Sequence, residues 1–172
     1  ANGGAIYGAS SSTIIVDNSV FINNRATSGG AIAGNTITVT NSNFTNNSVS
    51  FTNRNNGGGG AIHAIDYSTV SVSNSNFINN IARGTLSSGS YNSDGGGAIF
   101  VGSYCNLNVA GSNFINNSVY TGGDNHGRGG GAIYSHLYGT VTISNSKFLG
   151  QFSEGNGGAL FQYSGPSTST TG

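Results

Sequence analysis

Carboxylates come first, because enzymes that cleave acidic polysaccharides use clustered Asp and Glu as acid, base or calcium ligands. The chain has four Asp and one Glu. Asp17 and Asp66 sit in different local settings. Only Asp94 and Asp124 occupy comparable stretches, with Asn125 and His126 beside the second. Two carboxylates make a thin basis for catalysis or for an ion, so we expect no catalytic group, no metal site and no cofactor. His63 (Ala-Ile-His) and His136 (Tyr-Ser-His) follow no zinc spacing and read as surface or turn histidines. Gly57–Gly60 and Gly129–Gly131 are not phosphate loops, because no Lys-Ser/Thr follows them. Cys105 has no partner cysteine and reads as a small residue at a turn.

Binding chemistry is better represented. Arg25, Arg54, Arg83 and Arg128, all the arginines of a chain only 6% charged, fall in the irregular stretches between its repeated lines. Asp94, Asp124, Glu154, Phe51, Tyr91 and Tyr120 fall there too. From this set Arg54, Arg83, Arg128, Tyr91, Tyr120, Asp94 and Asp124 are the expected contacts for a glycan or a protein. Asn43-Phe-Thr, Asn46-Asn-Ser and Asn116-Asn-Ser match the glycosylation acceptor pattern. Asn43 precedes a core Phe and should face outward.

What positions these residues is a repeat. Gly-Gly-Ala-aliphatic recurs at 3–6, 29–32, 59–62, 96–99, 130–133 and 157–160, and a run ending in Phe recurs at 13–21, 36–44, 69–77, 106–114 and 140–148. Aligned, these lines give aliphatic columns: Ile14, Ile37, Val70, Leu107 and Val141, then Val16, Val39, Val72, Val109 and Ile143. Polar residues alternate with them, Ile15 excepted, which is the period-2 signature of a strand with one wet face. Phe21, Phe44, Phe77, Phe114 and Phe148 form a further column. Two Asn series (Asn18, Asn41, Asn74, Asn145 and Asn24, Asn47, Asn80, Asn117) and one Ser series (Ser19, Ser42, Ser75, Ser112, Ser146) would pass hydrogen bonds between coils. Three strands per turn in constant register predict an all-β, right-handed, three-sided parallel β-helix of five to six coils. At about 4.8 Å per coil the rod is on the order of 25 Å long. The segments after Phe-x-x-Asn vary in length, and Ser48–Gly58, Ile81–Gly95 and Ser118–Gly129 should stack into one bulged edge. One domain is expected over 1–163, with 164–172 a Ser/Thr-rich flexible tail or linker.

Gly-Gly-Ala-Ile paired with Phe-x-x-Asn resembles the chlamydial-type polymorphic membrane protein repeat. Four repeats carry both motifs, and the fifth departs at Gln151. The resemblance implies a secreted or surface-displayed adhesin-like β-helix. Composition agrees in part: zero formal net charge leaves no footprint for nucleic acid, and no apolar run is long enough for a membrane helix. The chain has no Met, as in a processed chain or a piece of a longer one, and neither end shows a capping element. We therefore expect a non-catalytic extracellular or cell-surface structural protein, an adhesin-like rod or a filament subunit stacking head to tail on itself. Its other partner would be a glycan or a host or cell-surface protein. A polysaccharide lyase or hydrolase is the alternative, with ice binding by the Thr/Ser face a lesser one.

Overall fold

The computed structural model describes residues 2–51, 57–84, 94–121, 128–163 and 167–171. Every strand pairing is parallel and joins equivalent positions of successive repeats, so the chain is a β-solenoid. One six-stranded sheet, the tetrad sheet, comprises Ile6–Tyr7, Ile32–Gly34, Ile62–Ala64, Ile99–Val101, Ile133–Ser135 and Leu160–Gln162. A second, the aliphatic sheet, comprises Thr13–Asp17, Thr36–Thr40, Thr69–Ser73, Asn106–Ala110, Thr140–Ser144 and Ser167–Thr171. The five-stranded Phe sheet runs through Val20–Ile22, Asn43–Thr45, Asn76–Ile78, Asn113–Ile115 and Lys147–Leu149.

The columns read from the sequence meet across these sheets: Ile14 faces Ile37, and Val70 faces both Ile37 and Leu107. Their side chains fill one continuous core with the tetrad Ala and Ile residues. The Phe rings stack at 4.7–4.8 Å between centroids with planes within 6°. That separation matches the strand spacing and lies within the range of favourable stacked aromatic pairs.

The Asn24 series is a buried ladder. Asn47 donates from its backbone N and Nδ2 to Asn80 Oδ1, both at 3.0 Å, and Asn80 does the same to Asn117. Each carboxamide also donates to the carbonyl of the Phe one coil back, as Asn80 Nδ2 does to Phe44 O at 2.9 Å. Gln151 takes the place of Asn in the fifth repeat and accepts from Asn117 in the same way. The Ser series works likewise, each backbone N donating to the next Oγ at 3.0–3.1 Å.

The Asn18 series is different. Asn18, Asn41, Asn74 and Asn145 are exposed corners with φ of 47–51°, and Gly111, which stands in their column, has φ 57°. What selects these residues is tolerance of the left-handed region rather than a ladder, which is why glycine substitutes freely. Asn23, Asn46, Asn79, Asn116 and Gly150 form a second such corner. The tetrad glycines answer to crowding instead. A Cβ on Gly60 would lie 1.9 Å from Gly97 O, and one on Gly59 1.7 Å from Ile62 O.

Two further sheets stand beside these three, where plain loops were expected. Arg25–Ala26, Ser48–Phe51, Ile81–Gly84, Ser118–Tyr120 and Phe152–Ser153 form a five-stranded sheet where the variable segments begin. Gly58–Gly59, Gly95–Gly96 and Gly129–Gly130 form a three-stranded glycine sheet where the long ones return. Within the stretch expected to be a flexible tail, 167–171 pairs with Thr140–Ser144 in register. Its Ser/Thr run suits a strand because β-branched threonines favour the pleated surface of an open sheet edge.

Asn80→Ala should lower the unfolding free energy by about 3 kcal/mol or more, because it strands several buried donors and acceptors at once. Asn79→Ala, one residue away, should cost only about 1 kcal/mol of left-handed strain, and Asn79→Gly almost nothing. Urea titration of the three variants checks the ranking, and equal losses for Asn80→Ala and Asn79→Ala would refute the ladder.

Candidate functional site

The bulged edge begins as ordered strand. Val49, Ala82 and Val119 point inward from the Ser48–Phe51 sheet and, with Phe51, make a second small core. The glycine sheet lies flat on it: a Cβ on Gly58 would come within 2.6 Å of Val49 Cγ2, and one on Gly129 within 2.7 Å of Val119 Cγ1. Glycine is required because two sheets enclose so thin a layer.

The outward positions of that sheet carry the cations. Arg25 and Arg83 are exposed and, with Asn46, Ser48, Ser50, Asn79 and Ile81, line a shallow cavity of about 340 Å³. Arg25 lies 3.4 Å from the Ser50 hydroxyl, which accepts from it, and the Arg83 guanidinium lies 4.2 Å over the Tyr120 ring. No carboxylate among the described residues pairs with either arginine. The cavity therefore presents two positive charges and several hydroxyl and amide groups, a setting for an anionic or polyhydroxylated ligand.

On the other flank, the outward column of the tetrad sheet reads Tyr7, Ala33, His63, Phe100, Tyr134 and Phe161. His63, Phe100 and Tyr134 stack at 4.8 and 5.3 Å and are buried, although they point away from the main core. These are the coils whose tetrads follow long segments, and the returning residues cover the rings. The residue before each glycine strand reaches the ring of the following coil: Gly57 packs on Phe100, Asp94 on Tyr134, and Arg128 on Tyr163 at 3.4 Å. His63 is thus a buried histidine, not the surface residue its local sequence indicates.

Asp94 is the polar centre of this flank. Its Oδ2 accepts from the Tyr134 hydroxyl at 2.9 Å, while Oδ1 is buried with no hydrogen-bond partner among the described residues. His136 Nε2 stands 3.7 Å from Oδ2, and its Nδ1 lies 2.8 Å from Ser103 Oγ. Ser103, His136 and Asp94 fall in sequence, but the His–Asp separation is beyond hydrogen-bond reach and Tyr134 already holds Oδ2. The line orients an imidazole without forming the tight relay that would activate a hydroxyl. Burial pushes the Asp94 carboxyl above its ordinary range, with Tyr134, His136 and Arg128 pulling it partly back. Burial likewise keeps the Tyr134 phenol un-ionised. Among the described residues no group of three His, Cys, Asp or Glu side chains could hold a metal ion.

The structure thus separates the expected contacts. Arg83 and Tyr120 share the outer face of the edge sheet, whereas Asp94 and Arg128 belong to the roof over the aromatic column. Arg54, Tyr91 and Asp124, with Asn125 and His126, lie outside the described residues. Asn43, Asn46 and Asn116 are all exposed; Asn43 accepts from Asn76 Nδ2 at 2.7 Å, and the other two occupy left-handed corners. Cys105 is buried, its sulfur accepting from Ser68 N and donating to Ile65 O, and burial raises its thiol pKa. Tyr134, Ser103 and Tyr163 were not singled out by sequence, and His136 was read only as a surface or turn histidine. The signal for Tyr134 was the aromatic or His recurring directly after the tetrad in the coils with long segments, as His63, Phe100 and Tyr134. No protein-family model, curated protein or solved structure matches this chain.

Two of the buried titratable groups, His63 and Asp94, act in opposite directions. Burial lowers the His63 pKa from 6.5 to about 4, against weaker upward pulls from the Gly57 backbone and Asp66. Its contribution to stability is therefore complete above 6.5 and lost as pH falls toward about 4. The raised Asp94 carboxyl does the reverse, destabilising the fold as pH rises from 3.8 through its folded value. His63→Phe should remove an acid-side loss on the order of 3 kcal/mol while keeping the ring stack. Asp94→Asn, which still accepts from Tyr134, should raise stability at neutral pH. Unfolding midpoints between pH 4 and 7 check both, and an unaltered pH profile in His63→Phe would contradict the assignment.

Proposed function

We propose that this chain is a non-catalytic structural and adhesive β-solenoid working outside the cell or at a cell surface. In this reading it is a right-handed, three-sided rod of five to six coils. The observation that carries it is the unbroken succession of Phe, Asn and Ser ladders, in which each coil completes its neighbour's hydrogen bonds and core. Such an interior gives a stiff one-dimensional body suited to spanning distance and displaying an edge. The pairing of Gly-Gly-Ala-Ile with Phe-x-x-Asn, as in surface-displayed polymorphic membrane protein repeats, supports the same reading.

The contact surface is the edge carrying Arg25 and Arg83, which pair with no carboxylate among the described residues and which suit an acidic glycan or an acidic protein patch. Copies stack head to tail through the cavity of about 390 Å³ between Ile143, Phe148 and Leu160, which continues the interior columns. Negative-stain microscopy and sedimentation of the chain should show thin rods that lengthen with concentration. Discrete rods of constant length would remove the stacking half of the proposal. Binding to an acidic-glycan array should drop at least ten-fold in the double variant Arg25→Gln/Arg83→Gln. Equal binding by both proteins would move the adhesive surface elsewhere, and cleavage of any polysaccharide on the array would overturn the non-catalytic reading.

A further inference from the structure

Three tyrosines stand in left-handed corners, which the solenoid elsewhere gives to asparagine, glycine and, in the first coil, Ser11. Tyr67, Tyr104 and Tyr138 each lie two residues before an aliphatic-sheet strand, and each has left-handed φ, at 60°, 56° and 58°. That conformation disfavours a bulky side chain. Burial gives little in return, since the rings are 75%, 50% and 56% exposed. They are nonetheless ordered on one another. Centroids are 5.0 and 5.1 Å apart, with planes 2° and 22° from parallel. Phenylalanine would stack as well, so the hydroxyl is the part that packing leaves unexplained. An unfavourable conformation kept in three successive coils points to use rather than to folding.

The remaining described tyrosines are placed differently. Tyr134 is buried on Asp94, Tyr120 and Tyr163 lie under arginines, and the next-coil partner of Tyr7 is Ala33. Among the described residues only Tyr67, Tyr104 and Tyr138 combine an open phenol with face-to-face contact to a second phenol.

We propose that this column is an oxidative cross-linking site, in which a haem peroxidase with hydrogen peroxide couples neighbouring rings into dityrosine. Each phenol loses one electron and its hydroxyl proton, leaving a phenoxyl radical with spin on the ring carbons ortho to oxygen. Two such carbons form one C–C bond. The hydrogen displaced from each carbon ends on its phenol oxygen. The two electrons and two protons reduce hydrogen peroxide to two waters, so the sum is two tyrosines plus peroxide giving dityrosine plus two waters. The stack holds the partner ring beside the radical, and the exposed corner leaves room for the rings to tilt into bonding contact. Coupling of Tyr104 to Tyr67 or to Tyr138 staples successive coils together.

The test treats the intact chain with a haem peroxidase and hydrogen peroxide, then reads dityrosine fluorescence and maps linked peptides by mass spectrometry. The expected product is a link within one chain between 67 and 104 or between 104 and 138, with loss of two hydrogens and a raised unfolding midpoint. Tyr104→Phe keeps a ring in the stack but cannot couple, and should cut the fluorescence at least ten-fold. Tyr67→Phe should retain the 104–138 link. Undiminished fluorescence in Tyr104→Phe, or links mapping to other tyrosines or between chains, would overturn the proposal.

Discussion

The constraint on which the molecule depends is the separation of neighbouring parallel strands, close to 4.8 Å, held in constant register over every coil. Under that rule each side chain meets its own counterpart above and below. A residue is therefore tolerated only if it packs on itself. Aliphatic groups, flat rings, carboxamides and hydroxyls pass this requirement, while like charges stacked at that distance would repel. The scarcity of charge in the regular part of the chain follows from this rule, as does the collection of arginines where the coils vary.

The variable corner escapes the rule because its segments differ in length from coil to coil. The chain leaves as ordered strand, encloses a thin second core, and returns as glycine. On returning, Gly57, Asp94 and Arg128 cover rings of the next coil, so the insertions also shield an aromatic face that would otherwise be wet. This explains how His63 and Asp94, polar residues outside the main core, come to be buried. It also divides the edge into an exposed cationic face around Arg25 and Arg83 and a sealed, nearly neutral one around Tyr134.

Much of this was legible in the residues alone, because a strict repeat exposes its columns without any knowledge of distance. The aliphatic, Phe, Ser and Asn24 columns could be aligned by eye, and Gln151 keeps the ladder with a longer carboxamide. The Asn18 column misled because asparagine serves both ladders and left-handed corners. Only Gly111 in the same column told the two apart, since glycine has no amide to stack but adopts positive φ freely. The burial of His63 and Asp94 was not legible, as it depends on how long segments fold back over another sheet. Nor was the pairing of 167–171, where Ser/Thr composition alone does not separate a linker from an edge strand.

The carboxamide ladder also has a sense. Asn47, Asn80, Asn117 and Gln151 each accept from the coil before, so their carbonyl groups all face the same way along the axis. Strand backbones contribute little to oppose them, since sheet dipoles largely cancel. Aligned amide dipoles add, so the ladder itself contributes a moment along the axis with its negative end toward the first coil. The interior of the solenoid is thus directional: its carboxamide column reads differently when followed up the axis and down it.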